Sequence, residues 1–328
     1  MLRTIGCEVT EHPFEYSTFP GKWGTPIAGV LTAVLFLVSG HAGAHGNARA
    51  ALEVLIAGAA LLGFFAWWLG RRGVLDLPFA RERASNLVAT RGVPEMWLVA
   101  HLDSKSQPIP IGVRAGAITA CIAFWLAATV LALAQLFAAA PKNFWYPMTA
   151  LGLLAALPVI ASVVGGRSSG ALDNASGVVT VLRAAELLPM HAALGVLFTS
   201  AEELGLAGAR AWAREATAAS AINVDGIDDV GGARLVYSGR RPHALLDHLS
   251  NGLPAASRLP PGLLMDGVAL ADAGWQVVNV SKGSWRTVSR IHTPRDDLAH
   301  LDGSGAEEVA ALLAASIIAH TSGEKIIK

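Results

Sequence analysis

Charge is scarce in this chain of 328 residues: Asp, Glu, Lys and Arg make up 15% of it, against 53% hydrophobic residues and a mean hydropathy of +0.46. Soluble domains carry about a quarter charged residues, so a wholly soluble fold is not expected. A surplus of positive charge is also missing. Lys plus Arg number 25 and Asp plus Glu number 25, which leaves no broad basic field for nucleic acid and excludes it as a partner. There are only two cysteines, Cys7 and Cys121, far apart and the second inside a long apolar run. They allow neither a disulfide framework nor a cysteine-based zinc site. Any metal must therefore be held by His, Asp and Glu.

What the chain has instead is long uncharged stretches, in two pairs. The first pair is Trp23 to Ala48, with its apolar heart at Pro26 to Val38, and Val54 to Gly70, which ends in Phe64-Phe65-Ala66-Trp67-Trp68 just before Arg71-Arg72. The second is Ala115 to Pro141 and Asn143 to Gly166, the latter opening with Phe144-Trp145-Tyr146, an aromatic group of the kind found at lipid headgroup level. A bilayer is crossed by about 20 apolar residues, and Ala-rich core helices rarely stay uncharged for so long. Two transmembrane helical hairpins, about four membrane helices, are expected.

Loops rich in Lys and Arg tend to stay in the cytoplasm. Lys22, Arg71, Arg72, Arg81, Arg83, Lys105, Arg114 and Arg167 lie on one side of the runs, and only Arg49 and Lys142 in the two tight connections. The expected location is a multi-pass protein of the cell membrane with its polar body on the cytoplasmic side. Arg3, Glu8, Glu11 and Glu15 interrupt any apolar core at the N-terminus, so no cleavable signal peptide is expected there.

Outside the membrane pairs, short apolar runs alternate with helical spacing, the signature of an α/β domain: a mostly parallel mixed sheet flanked by helices. Ile5, Cys7 and Val9, then Phe14 and Tyr16, read as a hairpin or two adjacent strands. Asn86 to Thr90, Met96 to Ala100, Leu194 to Phe198, Ala221 to Val224 and Gln276 to Val280 read as further strands. Ala175 to Leu188, Gly205 to Ala216, Arg241 to Leu249 and Ala306 to His320 have helical spacing. The expected division is first strands of the α/β domain in 1–24, a membrane hairpin in 25–70, the α/β domain with the first metal motif in 71–112, a second hairpin in 113–166, and the rest of the α/β domain in 167–328.

Ligands of open α/β sheets bind beyond the carboxyl ends of the strands, and here those ends are rich in metal-type side chains. The run ending at Ala100 leads into His101-Leu102-Asp103, the run ending at Phe198 into Thr199-Ser200-Ala201-Glu202-Glu203, and Ile222-Asn223-Val224 into Asp225. Asp173 stands at a helix start in Asp173-Asn174-Ala175-Ser176-Gly177, and His292 opens His292-Thr293-Pro294-Arg295-Asp296. Several carboxylates on one sheet edge call for divalent cations. Imidazoles among them favour zinc, with manganese or cobalt as substitutes, over an all-oxygen calcium site.

These residues resemble the co-catalytic di-zinc aminopeptidases of metallopeptidase family 28. The family's His-x-Asp, Asp-Asn-x-x-Gly, Glu-Glu before a Gly-rich helix, Asn-x-Asp and His-Thr-Pro-x-Asp are similar to His101-Asp103, Asp173-Gly177, Glu202-Gly208, Asn223-Asp225 and His292-Asp296, in that order. Together these motifs span about residues 86 to 320, apart from the second hairpin. The resemblance implies a zinc-aminopeptidase-like fold and two zinc ions per chain, one held by His101 and Asp225, the other by Glu203 and His292, with Asp173 bridging. It implies that Glu202 is the general base that takes a proton from the attacking water and passes one to the leaving amine. Asp103 would accept the free imidazole proton of His101, and Asp296 would be a further supporting carboxylate. The implied function is a membrane-bound metallo-aminopeptidase acting on peptide substrates at the bilayer surface.

The departures from the family are insertions: His101 and Asp173 stand 72 positions apart, an excess supplied by the second hairpin, and the first hairpin follows the early strands. Taken singly, each motif has a plain reading. His101 would be a hydrogen-bonded structural residue, Glu202-Glu203 a solvated helix start, Asp173 an N-cap and Asp225 a turn residue. It is their order that favours the site. His41 and His45 read as polar loop residues rather than a metal pair, and Asp266, Asp272 and Trp275 as candidates to line a substrate pocket. Two other functions compete: a glutaminyl-cyclase-like zinc acyl transferase, disfavoured by Ile291 where those enzymes prefer an aromatic residue, and a non-catalytic membrane scaffold or receptor, disfavoured by the complete ligand set.

Overall fold

The computed structural model describes residues 1–138, 140–249, 253–260 and 262–322; residues 323–328, the end of the expected closing segment, lie outside the described residues. The elements in chain order are β1 (Glu8–Ser17), α1 (Phe19–Ala44), α2 (Ala48–Trp68), the one-turn α3 (Val74–Asp76), β2 (Arg81–Arg91), β3 (Met96–His101), α4 (Ile111–Phe137) and α5 (Trp145–Ile160). There follow α6 (Ser176–Leu187), β4 (Leu194–Thr199), α7 (Ala207–Glu215), β5 (Ser220–Ile227), β6 (Gly232–Tyr237), α8 (His243–Leu249), β7 (Ser257–Arg258), α9 (Asp266–Asp272), β8 (Gln276–Gly283), α10 (Trp285–Arg290) and α11 (Ser304–Ser322). They form two compact units: Met1–Thr18, Leu75–Ser106 and Gly166–Lys328 make one, Phe19–Val74 and Gln107–Gly165 the other.

The first unit is an eight-stranded mixed sheet in the order β1-β2-β4-β3-β5-β8-β6-β7. Its centre, β4-β3-β5-β8, is parallel, while β1, β2 and β6 join antiparallel. β3 and β4 are buried along their whole length, as strands covered on both faces must be. Alternate side chains of β3 serve opposite layers. Leu98 and Ala100 pack with Val181, Ala184 and Ala185 of α6 and Val309, Leu313 and Ile317 of α11, whereas Trp97 and Val99 pack with Leu270 and Trp275, and Trp212 of α7 joins them. The result is helix, sheet, helix.

The N-terminal segment differs from the alternation read in the sequence. β1 is one ten-residue strand pairing with β2 from Glu8↔Thr90 to Ser17↔Arg81, and Ile5 belongs to a 3-10 turn closed by Gly6 at φ 80°. Pro13 does not break the strand because β1 is the sheet edge, where a missing N–H is tolerated. The short strands β6 and β7 and the helices α9 and α10 have no counterpart in the sequence reading.

The second unit contains α1, α2, α4 and α5. Each of the four candidate spans, Phe19–Ala44, Ala48–Asp76, Ile111–Phe137 and Lys142–Ile160, is long and apolar enough to cross a membrane. Small residues let the helices approach: a side chain at Gly40 would meet Thr149, one at Gly43 Trp145, and one at Gly152 Phe36, the close packing expected where lipid supplies no hydrophobic drive. Ala51, Leu55, Ala128, Ala132 and Trp145 form the unit's inner cluster, and Trp145 donates its indole N–H to Gln135 at 2.8 Å. Leu37, Ile56, Phe64, Leu126, Val130 and Leu154 face outward. His41 and His45 stack at 4.2 Å at the end of α1 and belong to no metal-capable group among the described residues.

Candidate metal centre

The carboxyl ends of the parallel strands deliver the site. His101 is the last residue of β3, Glu202 and Glu203 follow β4 within four residues, and Asp225 lies near the end of β5. Asp173 precedes α6 by three residues and His292 follows α10 by two. Nε2 of His101 lies 3.1 Å from Asp173 Oδ1 and 3.5 Å from Asp225 Oδ1. Nε2 of His292 lies 3.1 Å from Asp173 Oδ2 and 2.9 Å from Glu203 Oε1. The two oxygens of Asp173 thus serve two groups, His101–Asp173–Asp225 and Asp173–Glu203–His292, each with its ligand atoms within 4.8 Å of one another.

Several hydrogen bonds to the main chain fix the segments that carry these side chains. The Asp103 carboxylate accepts the N–H groups of Glu202 at 3.0 Å and Glu203 at 3.1 Å. It stands 3.8 Å from His101 Nδ1, which is instead hydrogen-bonded to the Asp103 carbonyl at 2.9 Å; the bond expected of the Asp103 side chain is made by its main chain. Asp296 accepts the Leu172 N–H at 2.6 Å and so fixes the residue before Asp173. Ala201 at φ 56° and His292 at φ 63° occupy the left-handed region, a costly conformation for these residues that survives only where surrounding contacts enforce it.

Burial and charge set the protonation of the cluster. Glu202 is driven well above the usual carboxylate range by burial, with the negative charges of Glu203, Asp266 and Asp225 adding to it against the opposing pull of His101. Burial also raises Asp173, but its contacts with His101 and His292 outweigh that and leave it below its ordinary value. His101 is raised: burial lowers it, and the fields and hydrogen bonds of Glu202, Asp173 and Asp225 more than compensate.

The donor set fits divalent cations. With Nδ1 of His101 donating to a carbonyl, Nε2 is the ring atom that faces Asp173 and Asp225 and the one left to take a metal in place of its proton. Glu203 Oε1 has no hydrogen-bond partner beyond the His292 ring it faces. Two imidazoles with three carboxylates match zinc, and His101, Asp173 and Asp225 can hold one ion and Asp173, Glu203 and His292 another.

Two further residues enter the site without any motif. Lys105 Nζ pairs with Glu203 Oε2 at 2.7 Å. Asp266, fully buried, accepts a hydrogen bond from Thr199 at the end of β4. The sequence reading named Asp266 among the pocket candidates and did not single out Lys105 for the site. The other two pocket candidates do other work: Trp275 is a core residue with its ring 6.1 Å from Trp97, and Asp272 pairs with Arg210 at 3.7 Å.

Residues 157–317 match peptidase family M28. The match includes Asp173, Glu202, Glu203, Asp225 and His292, and it leaves out His101 and Asp103, which precede the α4–α5 insertion. No curated protein matches the chain. Among solved structures, the chain is similar to the aminopeptidase from Aneurinibacillus sp. strain AM-1, at 15% identity and TM-score 0.47 over 73% of this chain and 48% of that one. It is similar to the zinc aminopeptidase BSAP from Bacillus subtilis, at 16% identity and TM-score 0.47 over 75% and 52%. It is also similar to Fimbriiglobus ruber glutaminyl cyclase, at 12% identity and TM-score 0.49 over 96% and 83%. The chain spans about half the length of the two aminopeptidases.

Proposed function

We propose that this protein is a membrane-bound zinc-dependent exopeptidase that removes N-terminal residues from peptides at the cytoplasmic face. The observation that supports it is the sharing of Asp173 between two His–carboxylate groups with Glu202 beside them. Two zinc ions would be held by His101 and Asp225, by Glu203 and His292, and by both oxygens of Asp173. When bound they would supply Lewis acidity and lower the pKa of water. Glu202 does the proton work: a buried carboxylate with raised proton affinity takes a proton from the attacking water and returns one to the departing amine. Asp103 keeps Glu202 and Glu203 in place through their main-chain N–H groups.

The membrane and sidedness parts of the reading rest on the four apolar helices and on the Lys and Arg bias of their flanks. The test is mass-spectrometric detection of N-terminal release from a mixed peptide library by detergent-purified, zinc-loaded protein, with Glu202→Gln as control. Release by the wild type alone is expected. No release from either protein with zinc bound would overturn the exopeptidase reading, and a protease-accessible tag placing the first unit outside the cell would overturn the sidedness.

A further inference from the structure

The two imidazoles of the centre are held by different means. The ring of His101 is locked by the hydrogen bond between its Nδ1 and the Asp103 carbonyl. Nδ1 of His292 is buried without a partner among the described residues, so no hydrogen bond to that atom within them sets the ring's direction. The main chain must do so instead, and it does so through Arg290. The Arg290 carbonyl accepts the Thr293 N–H at 3.0 Å and the Thr293 hydroxyl at 2.6 Å, closing a tight turn with His292 inside it at φ 63°. The Arg290 guanidinium meets the carboxylate of Asp228, a residue with no exposed surface.

Asp228 is itself fixed on several sides. Its N–H donates to the Lys282 carbonyl at 2.9 Å, its own carbonyl accepts from Lys282 Nζ at 3.2 Å, and its carboxylate also accepts from Thr287 at 2.5 Å. It lies three residues beyond Asp225 on the same chain segment. The ion pair therefore links the segment that carries a ligand of one metal group to the turn that carries a ligand of the other.

We infer that the Asp228–Arg290 ion pair is a positioning device that sets the His292 imidazole toward the Glu203 group. This rests on the di-metal reading above. Because the pair acts on His292 and leaves His101 to its own carbonyl anchor, its loss strikes one metal group and spares the other. Groups that orient metal ligands in this way typically contribute 10- to 100-fold in metal affinity.

The test is zinc binding by full-length, detergent-purified wild type, Arg290→Gln and Arg290→Lys, read by competition with a chromogenic chelator and paired with thermal unfolding of the metal-free proteins. The wild type should take up two equivalents. Arg290→Gln should bind one equivalent as the wild type does and the other roughly 10- to 100-fold more weakly, and Arg290→Lys, which keeps the charge, should recover part of that loss. If Arg290→Gln does not fold, Asp228→Asn, which keeps an acceptor for Thr287, gives the same readout. Two equivalents bound as in the wild type, an equal weakening of both, or no recovery by Lys would each overturn the inference. A folded wild type that binds no zinc would overturn the di-metal reading itself.

Discussion

The side chain of Asn174 grips the main chain on either side of Asp225: its amide nitrogen donates to the Val224 carbonyl at 2.9 Å and its oxygen accepts the Gly226 N–H at 3.1 Å. The same oxygen accepts from Gly177 N–H at 3.1 Å, so one amide next to Asp173 fixes the position of a second candidate ligand. Asn174→Ala should lower stability by about 1–3 kcal/mol, the range for orphaned buried partners, and weaken zinc binding. Thermal unfolding and chelator competition on the same preparation check both; a stability loss with unchanged zinc affinity would show that the grip does not serve Asp225.

Glu202→Gln should cut turnover by roughly 10²- to 10⁴-fold, the contribution of a general base, while zinc content stays at the wild-type level because Glu202 belongs to neither metal-capable group. Steady-state rates with elemental analysis separate the two effects. Zinc lost together with activity would make Glu202 a ligand instead.

Lys105 is the cation that touches Glu203 Oε2. Lys105→Met takes the cation from Glu203 Oε2 and leaves only the His292 ring at its other oxygen, and the metal-free protein should lose on the order of 3 kcal/mol. With zinc present, the metal supplies the missing positive charge and the loss should shrink. Unfolding temperatures measured with and without chelator test this. An equal loss in both conditions would mean that Glu203 does not meet the metal.

Burial pushes the Asp266 carboxyl up to about 7; Asp103 and Asp225 add to it, against the opposing effects of His101 and of the Thr199 hydrogen bond. In the unfolded chain the same group titrates near 3.9. Between these values the folded, metal-free protein keeps a proton that the unfolded chain has lost, so this group's contribution weakens as pH rises from about 4 to about 7. Asp266→Asn should therefore raise the unfolding temperature of the metal-free protein at pH 8 more than at pH 5. A gain that does not change with pH would contradict the shift.

In the helical unit, Trp145→Phe removes the hydrogen bond to Gln135 and should cost about 0.6–2 kcal/mol, the range measured for polar contacts between membrane helices. Reversible unfolding in mixed micelles reads this directly. A neutral substitution would mean that water or lipid satisfies Gln135 equally well.

That His101, Glu202, Glu203 and Asp225 lie at strand ends was legible because each stands where an apolar run stops, and apolar runs of that kind become central strands, whereas Asp173 and His292 were read from their motifs. His101 at the end of β3, Glu202 and Glu203 after β4, and Asp225 on β5 are brought together by strand adjacency. Lys105, Asp228 and Arg290 were not legible. Single charged residues look solvated until the burial of their partners is known, and Asp228 is buried where Thr287 and Arg290 of α10 meet it. β6 escaped notice because its exposure pattern, with only Leu235 fully covered, is no clear alternation. The helices α1 and α4 begin before the uncharged runs do because Lys22 and Arg114 mark a polar end, and a charged side chain does not stop a helix.

The insertion of α1–α2 between β1 and β2, and of α4–α5 between His101 and Asp173, also sets an order of events during synthesis. His101 leaves the ribosome first, and two apolar helices must follow before Asp173 appears. By the time β5 is made, His101, Asp173 and Asp225 are all present. Glu203 waits another 67 residues, counted from Asp225, for His292. One of the two groups that could hold a metal is thus complete well before the other, while the last helices are still to be translated.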